Sequence, residues 1–93
     1  MLFTKRLIIH GLVQGVGYRF SMVNASHATS ITGWVRNRRD GTVEALIQGE
    51  ENNIDKIIQW ARSGPPSAKV TQVEVIDEVD TAHYSHFTQQ PTE

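Results

Sequence analysis

Apolar residues recur along this chain in two rhythms, and the switches between them mark out strands and helices. Arg6-Leu7-Ile8-Ile9-His10 is a short aliphatic, β-branched run closed by Gly11, which predicts a first strand. Residues 31–38 predict a second, with Gly33, Val35 and Asn37 on one side and Trp34, Arg36 and Arg38 on the other. Residues 42–48 alternate cleanly, Val43, Ala45 and Ile47 against Glu44, Leu46 and Gln48. Arg39-Asp40-Gly41 joins these two runs, and its Asp-Gly step is a strong hairpin signal. A fourth strand is expected over 70–79, with Val73 and Val75 on one face. After Asp80-Thr81, residues 84–90 offer a short edge strand around Phe87, ended by Pro91.

The helical rhythm appears twice. Ile54, Ile57, Ile58 and Ala61 keep the spacing of a buried stripe, which Trp60 widens. Glu50 and Glu51 stand in or before the first turn of that helix, where negative charge is favoured, and Gly64 with Pro65-Pro66 ends it. The other helix, over 18–29, is weaker. Met22, Ala25 and Ala28 form its stripe and Phe20 and Val23 broaden it, while Ser26 and Thr29 dilute it. The order β-α-β-β-α-β is the split βαβ arrangement of an α+β, ferredoxin-like sandwich. Its expected sheet is antiparallel, with four to five strands, both helices on one face and the other face largely solvated.

Composition narrows the function rather than the fold. The 93 residues are enough for one domain, spanning residues 1–93, with two layers around a small core. A formal charge of −1 argues against bulk nucleic-acid binding, and the absence of cysteine removes disulfides and thiolate chemistry. His10, His27, His83 and His86 match no zinc spacing. No run approaches a membrane span of about 20 apolar residues, and Met1-Leu2-Phe3-Thr4-Lys5-Arg6 leads directly into a strand. The expectation is a cytoplasmic monomer that contacts neither membrane nor nucleic acid.

The chemistry is concentrated in Gly11-Leu12-Val13-Gln14-Gly15-Val16-Gly17-Tyr18-Arg19. Glycines permit left-handed backbone, so a turn of this kind can aim several N–H groups at one point. The helix that follows adds unpaired amides and the positive end of its dipole. Arg19 is always protonated and fork-shaped, suited to two oxygens of one anion. These residues predict oxyanion binding, phosphate above all. By itself such a turn is equally a tight strand-to-helix connection, Arg19 a surface cation and Asn37 a strand-end residue.

That nine-residue run resembles the acylphosphatase signature. Gly33-Trp34-Val35-Arg36-Asn37 followed by Asp40-Gly41-Thr42-Val43-Glu44 resembles the second signature of the family, at the expected place. Gly49 and Gly64-Pro65-Pro66-Ser67-Ala68-Lys69-Val70, with Val73-Glu74 beyond, fit the same pattern. The resemblance implies hydrolysis of the carboxyl–phosphate bond of acyl phosphates to a carboxylate and inorganic phosphate. It implies that Arg19 binds the phosphate and Asn37 orients the attacking water. It implies that the backbone amides of Gln14, Gly15, Val16, Gly17 and Tyr18 cradle the phosphate. A carboxylate leaves without being protonated, so no general acid is expected, and the residues demand neither a metal nor a cofactor. Inorganic phosphate, the product, is expected to compete with substrate. Tyr18 stands where the family commonly has Phe, and Ser26, Thr29 and Ser30 stand where it typically has Ala, Leu and Gly. Gln89 takes the place of an apolar residue.

Other functions fit less of the pattern. A phosphate-sensing module would keep the site and dispense with turnover. An RNA-binding domain of similar order would show an aromatic pair on the central strands, which is missing. A place inside a larger carbamoyl-transfer enzyme would bring zinc-finger cysteines, and the chain has none. Arg36, Arg38 and Arg39, diluted by Asp40 and Glu44, are expected to be a solvated strand end, and Trp34 and Trp60 packing residues.

Overall fold

A computed structural model describes residues 1–79 and 82–93; the Asp80-Thr81 step lies outside the described residues. The strands and helices run β1 (Phe3–Leu12), α1 (Tyr18–Ala28), β2 (Thr32–Asn37), β3 (Val43–Gly49), α2 (Glu51–Ser63), β4 (Lys69–Asp77) and β5 (Phe87–Gln89). They form one five-stranded sheet in the order β4-β1-β3-β2-β5. The expected βαββαβ order is present. β1 is longer than the aliphatic run predicts because it is paired on both sides, to β3 and to β4.

The sheet is mixed, not antiparallel throughout. β1–β3, β1–β4 and β2–β3 are antiparallel, but β5 runs parallel to β2, with Gly33 opposite Phe87 and Val35 opposite Gln89. The reason is topological. β4 occupies one edge of the sheet and β5 the other, so the chain crosses the whole sheet before it can pair again, and it enters in the direction of β2. The buried Gln48 side chain at the end of β3 holds that crossing by donating to Ala82 O at 2.9 Å and accepting from Tyr84 N at 3.2 Å.

Both helices cover one face. The core between the layers contains Leu7 and Ile9 of β1, Val35 of β2, Val43, Ala45 and Ile47 of β3, and Ile54, Ile57 and Ala61 of α2. Each buried Leu, Ile or Val among these contributes about 1.5–3 kcal/mol relative to solvent exposure. The predicted stripe of α2 is therefore the real one. That of α1 is rotated: Tyr18, Met22 and Ser26 are buried, whereas Phe20 and Ala28 face outward. Tyr18 sets this phase, because its ring packs on Trp60 and its hydroxyl donates to Ala61 O at 2.7 Å. Once position 18 points inward, positions 22 and 26 follow it at one-turn intervals.

The opposite face is not a simple solvated surface. All seven residues of β3 are buried, Glu44, Leu46 and Gln48 included. Glu44 receives Arg36 Nε at 2.8 Å and Arg6 Nη1 at 3.1 Å, and Arg6 reaches Glu78 while Arg36 reaches Glu93. Burial pushes the Glu44 carboxyl up, but the bonds from Arg36 and Arg6 outweigh it and hold the group below its ordinary range. Arg36 also lies over the Trp34 ring, 4.7 Å from its centroid. The arginine expected to be solvated is tied into a network, and Trp34 is the platform beneath it.

Candidate active site

Topology assembles the site before any side chain is considered. β1 and β2 are both antiparallel to β3, so they run in the same direction and end at the same pole of the sheet. α1 begins at that pole, directly after the turn that leaves β1. Asn37 closes β2 and shares the side of Gly33 and Val35, the side the helices cover. The two signature segments, residues 11–19 and 33–44, therefore meet at one end of the sandwich.

The turn is shaped by alternating roles. Val13 is buried and Val16 packs against the core, so both anchor the loop from below. Gly15 and Gly17 are exposed, with φ of 76° and 80°, in the left-handed region where a side chain would be strained. A Cβ at either would meet nothing within 4 Å, so the requirement for glycine there is conformational, and the space outside the loop is open. Gly11 is different, since a Cβ there would sit 2.1 Å from Lys69 O.

The amides of this segment are uncommitted. Gly17 caps α1 without a side-chain hydrogen bond, and the first turn carries no acidic residue. Ser21 N to Gly17 O, at 3.0 Å, is the first bond of the helix. Among the described residues, none of the N–H groups over 14–20 donates to a protein acceptor. A run of such donors at a helix N-terminus is a concentrated positive potential and a place for an anion. Arg19, half-buried in the first turn, makes no ion pair with any described residue. Its charge is thus not spent inside the protein.

Asn37 is the second distinctive group. Its Oδ1 is buried and accepts no hydrogen bond from the described residues. A buried acceptor without a partner costs about 1–3 kcal/mol, which marks the position as one where a ligand or water proton belongs. Its backbone is well held, however. Asn37 O accepts Glu93 N at 3.1 Å, and Glu93 O accepts Arg39 N at 3.0 Å, so the tail beyond β5 runs on beside the end of β2. Nothing in the periodicity of that polar tail signals this contact.

Tyr18 belongs to the architecture of the site rather than to its donor set. Its side chain is buried, its hydroxyl is bonded to α2, and burial pushes that hydroxyl well up, so it stays protonated. The role of the Gln14 side chain was missed. Its Nε2 donates to Arg38 O at 2.7 Å and Thr42 O at 2.9 Å, joining the loop to the neck of the β2–β3 hairpin. A glutamine among glycines and valines is the signal that was available. Among the described residues no group of three or more His, Asp or Glu is gathered as a metal site, and no helix is long and apolar enough to cross a membrane.

Comparisons with known proteins agree with this geometry. The family model "Acylphosphatase" matches residues 5–89. An acylphosphatase of Bordetella avium is 45% identical over 86 residues, covering 92% of each chain. One from Albidiferax ferrireducens is 54% identical over 72 residues, covering 77% of this chain and 78% of its own. The crystal structure of acylphosphatase from Bacillus subtilis superposes with a TM-score of 0.91 at 34% identity, over 97% of this chain and 99% of that one. With both signature segments meeting at one pole and the match running through nearly the whole sequence, the chain belongs to the acylphosphatase family, enzymes that act on small acyl phosphates.

Proposed function

We propose that the loop of Gln14, Gly15, Val16, Gly17 and Tyr18 receives the phosphoryl group of an acyl phosphate, that Arg19 binds its oxygens, and that Asn37 orients the attacking water. The observation that carries this reading is the run of amides over 14–20 that is free among the described residues and leads into a helix without a side-chain cap, with an arginine in its first turn that no described residue pairs. Phosphoryl transfer depends chiefly on positioning and on stabilising charge, and this is a set of preorganised donors.

Water attacks phosphorus as the bond to the acyl oxygen breaks. The carboxylate leaves with its electron pair and needs no proton, so the site has no use for a general acid. Asn37 Oδ1, an acceptor without a partner among the described residues, takes a hydrogen bond from the water and holds it in line. An amide is too weak a base to remove that proton outright. A phosphate oxygen bound in the cradle is the base available, and no step calls for a metal or a cofactor. The proposal also makes inorganic phosphate a competitive inhibitor, since it fills the same cradle. A monomer acting in the cytoplasm completes the expectation.

The test is a steady-state assay on an aryl acyl phosphate with a phosphomonoester beside it. Arg19→Ala is expected to lower kcat/KM by about 10²–10³-fold and to weaken phosphate inhibition. Asn37→Ala is expected to lower kcat to a small residual rate, by about 10²–10³-fold, while leaving affinity for inorganic phosphate, read by calorimetry, nearly intact. Near-normal turnover by Asn37→Ala would show that water is oriented by something else. Exhaustive chelation is expected to leave the rate unchanged, and a rate restored by added magnesium would contradict the metal-free reading. Equal hydrolysis of the monoester would overturn the reaction class, because an alkoxide leaving group needs a proton that this site cannot supply.

A further inference from the structure

We infer that the Gln14 side chain is a positioning residue, which fixes the phosphate cradle relative to Asn37 by cross-linking the loop to the neck of the β2–β3 hairpin. The inference rests on the roles proposed above for the cradle and Asn37. Both hydrogens of the Gln14 amide are committed, one to Arg38 O at 2.7 Å and one to Thr42 O at 2.9 Å. The amide nitrogen therefore has no donor left for an anion, and Gln14 meets the phosphate only through its backbone N–H.

The two carbonyls it reaches are the ones that define the hairpin neck. Arg38 O also accepts Gly41 N at 3.1 Å, and Thr42 O also accepts Arg38 N at 2.9 Å. With Gln14 added, each oxygen has two donors. Arg38 follows Asn37 in the chain, and Thr42 precedes Val43, the residue paired with Asn37 across the ladder. One side chain thus bonds to the residue next to Asn37 on its own strand and to the residue next to its cross-strand partner. From the other edge, among the described residues, Asn37 is held through its carbonyl by Glu93 N.

The consequence concerns distance rather than affinity. The glycine conformations, the start of α1 and Arg19 give the loop its affinity for an anion, and none of them depends on the hairpin. What the hairpin supplies is Asn37, and thus the position of water. In-line attack requires that position to be accurate, since a misplacement of about 1 Å costs roughly a hundredfold in rate. Among the described residues, the Gln14 amide supplies the only side-chain hydrogen bonds between the loop and the hairpin.

The decisive experiment is a double-mutant cycle between position 14 and position 37, read in kcat and in inhibition by inorganic phosphate. Gln14→Met keeps the length and volume of the side chain and removes both donors. It is expected to lower kcat at least about tenfold with phosphate inhibition changed less than about threefold. In the Asn37→Ala background the same substitution is expected to lower kcat by less than about twofold, because the group it positions is gone. Gln14→Asn keeps the amide but is shorter by one methylene, about 1.5 Å. It is expected to lie between wild type and Gln14→Met, and it carries the test if Gln14→Met does not fold. Fully multiplicative losses in the double variant, or a loss of phosphate affinity that parallels kcat, would overturn the positioning role while leaving the assignments of Arg19 and Asn37 standing. Normal turnover by Asn37→Ala alone would instead remove the water-orienting reading, and this inference with it.

Discussion

The two helices lie on the same face of the same sheet, yet they are built to different standards. α2 has an uninterrupted stripe of Ile54, Ile57 and Ala61, an acidic residue in its first turn, a basic one in its last, and a glycine cap whose N–H bonds to Trp60 O at 2.8 Å. α1 has no side-chain cap, a buried serine whose hydroxyl has no partner among the described residues, and Ser30 in left-handed backbone just beyond its end. The helix that breaks the rules is the one that presents Arg19 and the free amides. An N-cap side chain or an acidic first turn would stabilise α1, but each would also occupy or neutralise the donors that the proposed cradle needs. The regular helix signals are gathered in α2, and α1 is tied to it through the Tyr18 hydroxyl.

The sharpest way to break this contrast is to exchange one residue from each helix. Ile57→Ala removes a fully buried side chain from the stripe of α2 and is expected to cost about 2–5 kcal/mol, measured by urea unfolding. Its kcat per folded molecule is expected to stay within about twofold, since no site element is touched. Arg19→Ala should do the reverse, with turnover lost and unfolding free energy within about 0.5 kcal/mol of wild type. If Arg19→Ala proved as destabilising as Ile57→Ala, Arg19 would be a structural residue and the division between the helices would fail.

Tyr18→Phe tests the link between them. It removes the bond to Ala61 O and leaves a carbonyl near the end of α2 without that donor, at an expected cost of about 1–2 kcal/mol. The ring stays against Trp60, so the phase of α1 and the presentation of Arg19 are expected to survive, with kcat changed less than about threefold. A loss of phosphate affinity in this variant would mean that the hydroxyl itself holds the mouth of the cradle in place.

These contrasts also explain what was legible in the sequence. α2 was readable residue by residue because local periodicity, charge and capping all agree with its environment. The turn before α1 and the end of β2 were placed by two separate signatures, one carrying Arg19 and the other Asn37, and the roles proposed for those two residues come from the same resemblance. The phase of α1 was not, since it follows from Tyr18 being fastened to a helix more than thirty residues away in the chain, which no local pattern encodes. Alternation in β3 correctly separated Glu44, Leu46 and Gln48 from the core side, but it says nothing of what covers the second face. Arg6 and Arg36 come from neighbouring strands, and the segment after β4 returns over Gln48, so all three are buried. The direction of β5 was hidden for a similar reason: a three-residue strand shows neither its partner nor the side from which the chain arrives.

Ser26→Ala sharpens the contrast from the opposite side, since it should repair α1. The hydroxyl is fully buried and has no hydrogen-bond partner among the described residues. Removing it relieves that desolvation and improves helix propensity, for an expected gain of about 1 kcal/mol in unfolding free energy. An unchanged or lowered stability would mean that the hydroxyl is satisfied in solution by a bound water, and that the site is less demanding than it looks.

Ser30→Gly is the smallest change and the most discriminating. Ile31 N bonds to Ser26 O at 2.9 Å and Ser30 N to His27 O at 3.4 Å, the two bonds of a Schellman ending with Ser30 at its left-handed position, φ 56°. Glycine adopts that backbone without the Cβ clash, worth about 1–2 kcal/mol, but it gives back part of the gain through a more flexible unfolded chain. The net expectation is about 0.5–1 kcal/mol more stability, seen as a melting temperature raised by about 2–8 °C. The eleven residues of α1 place this end about 16 Å from the turn that carries Arg19. kcat and phosphate inhibition should therefore not move. If they hold while stability rises, the imperfect end of α1 is merely tolerated, and only its uncapped beginning serves the site. If kcat falls as the helix end is tightened, the looseness of α1 is part of how the cradle works, and the difference between the helices extends along the whole length of α1.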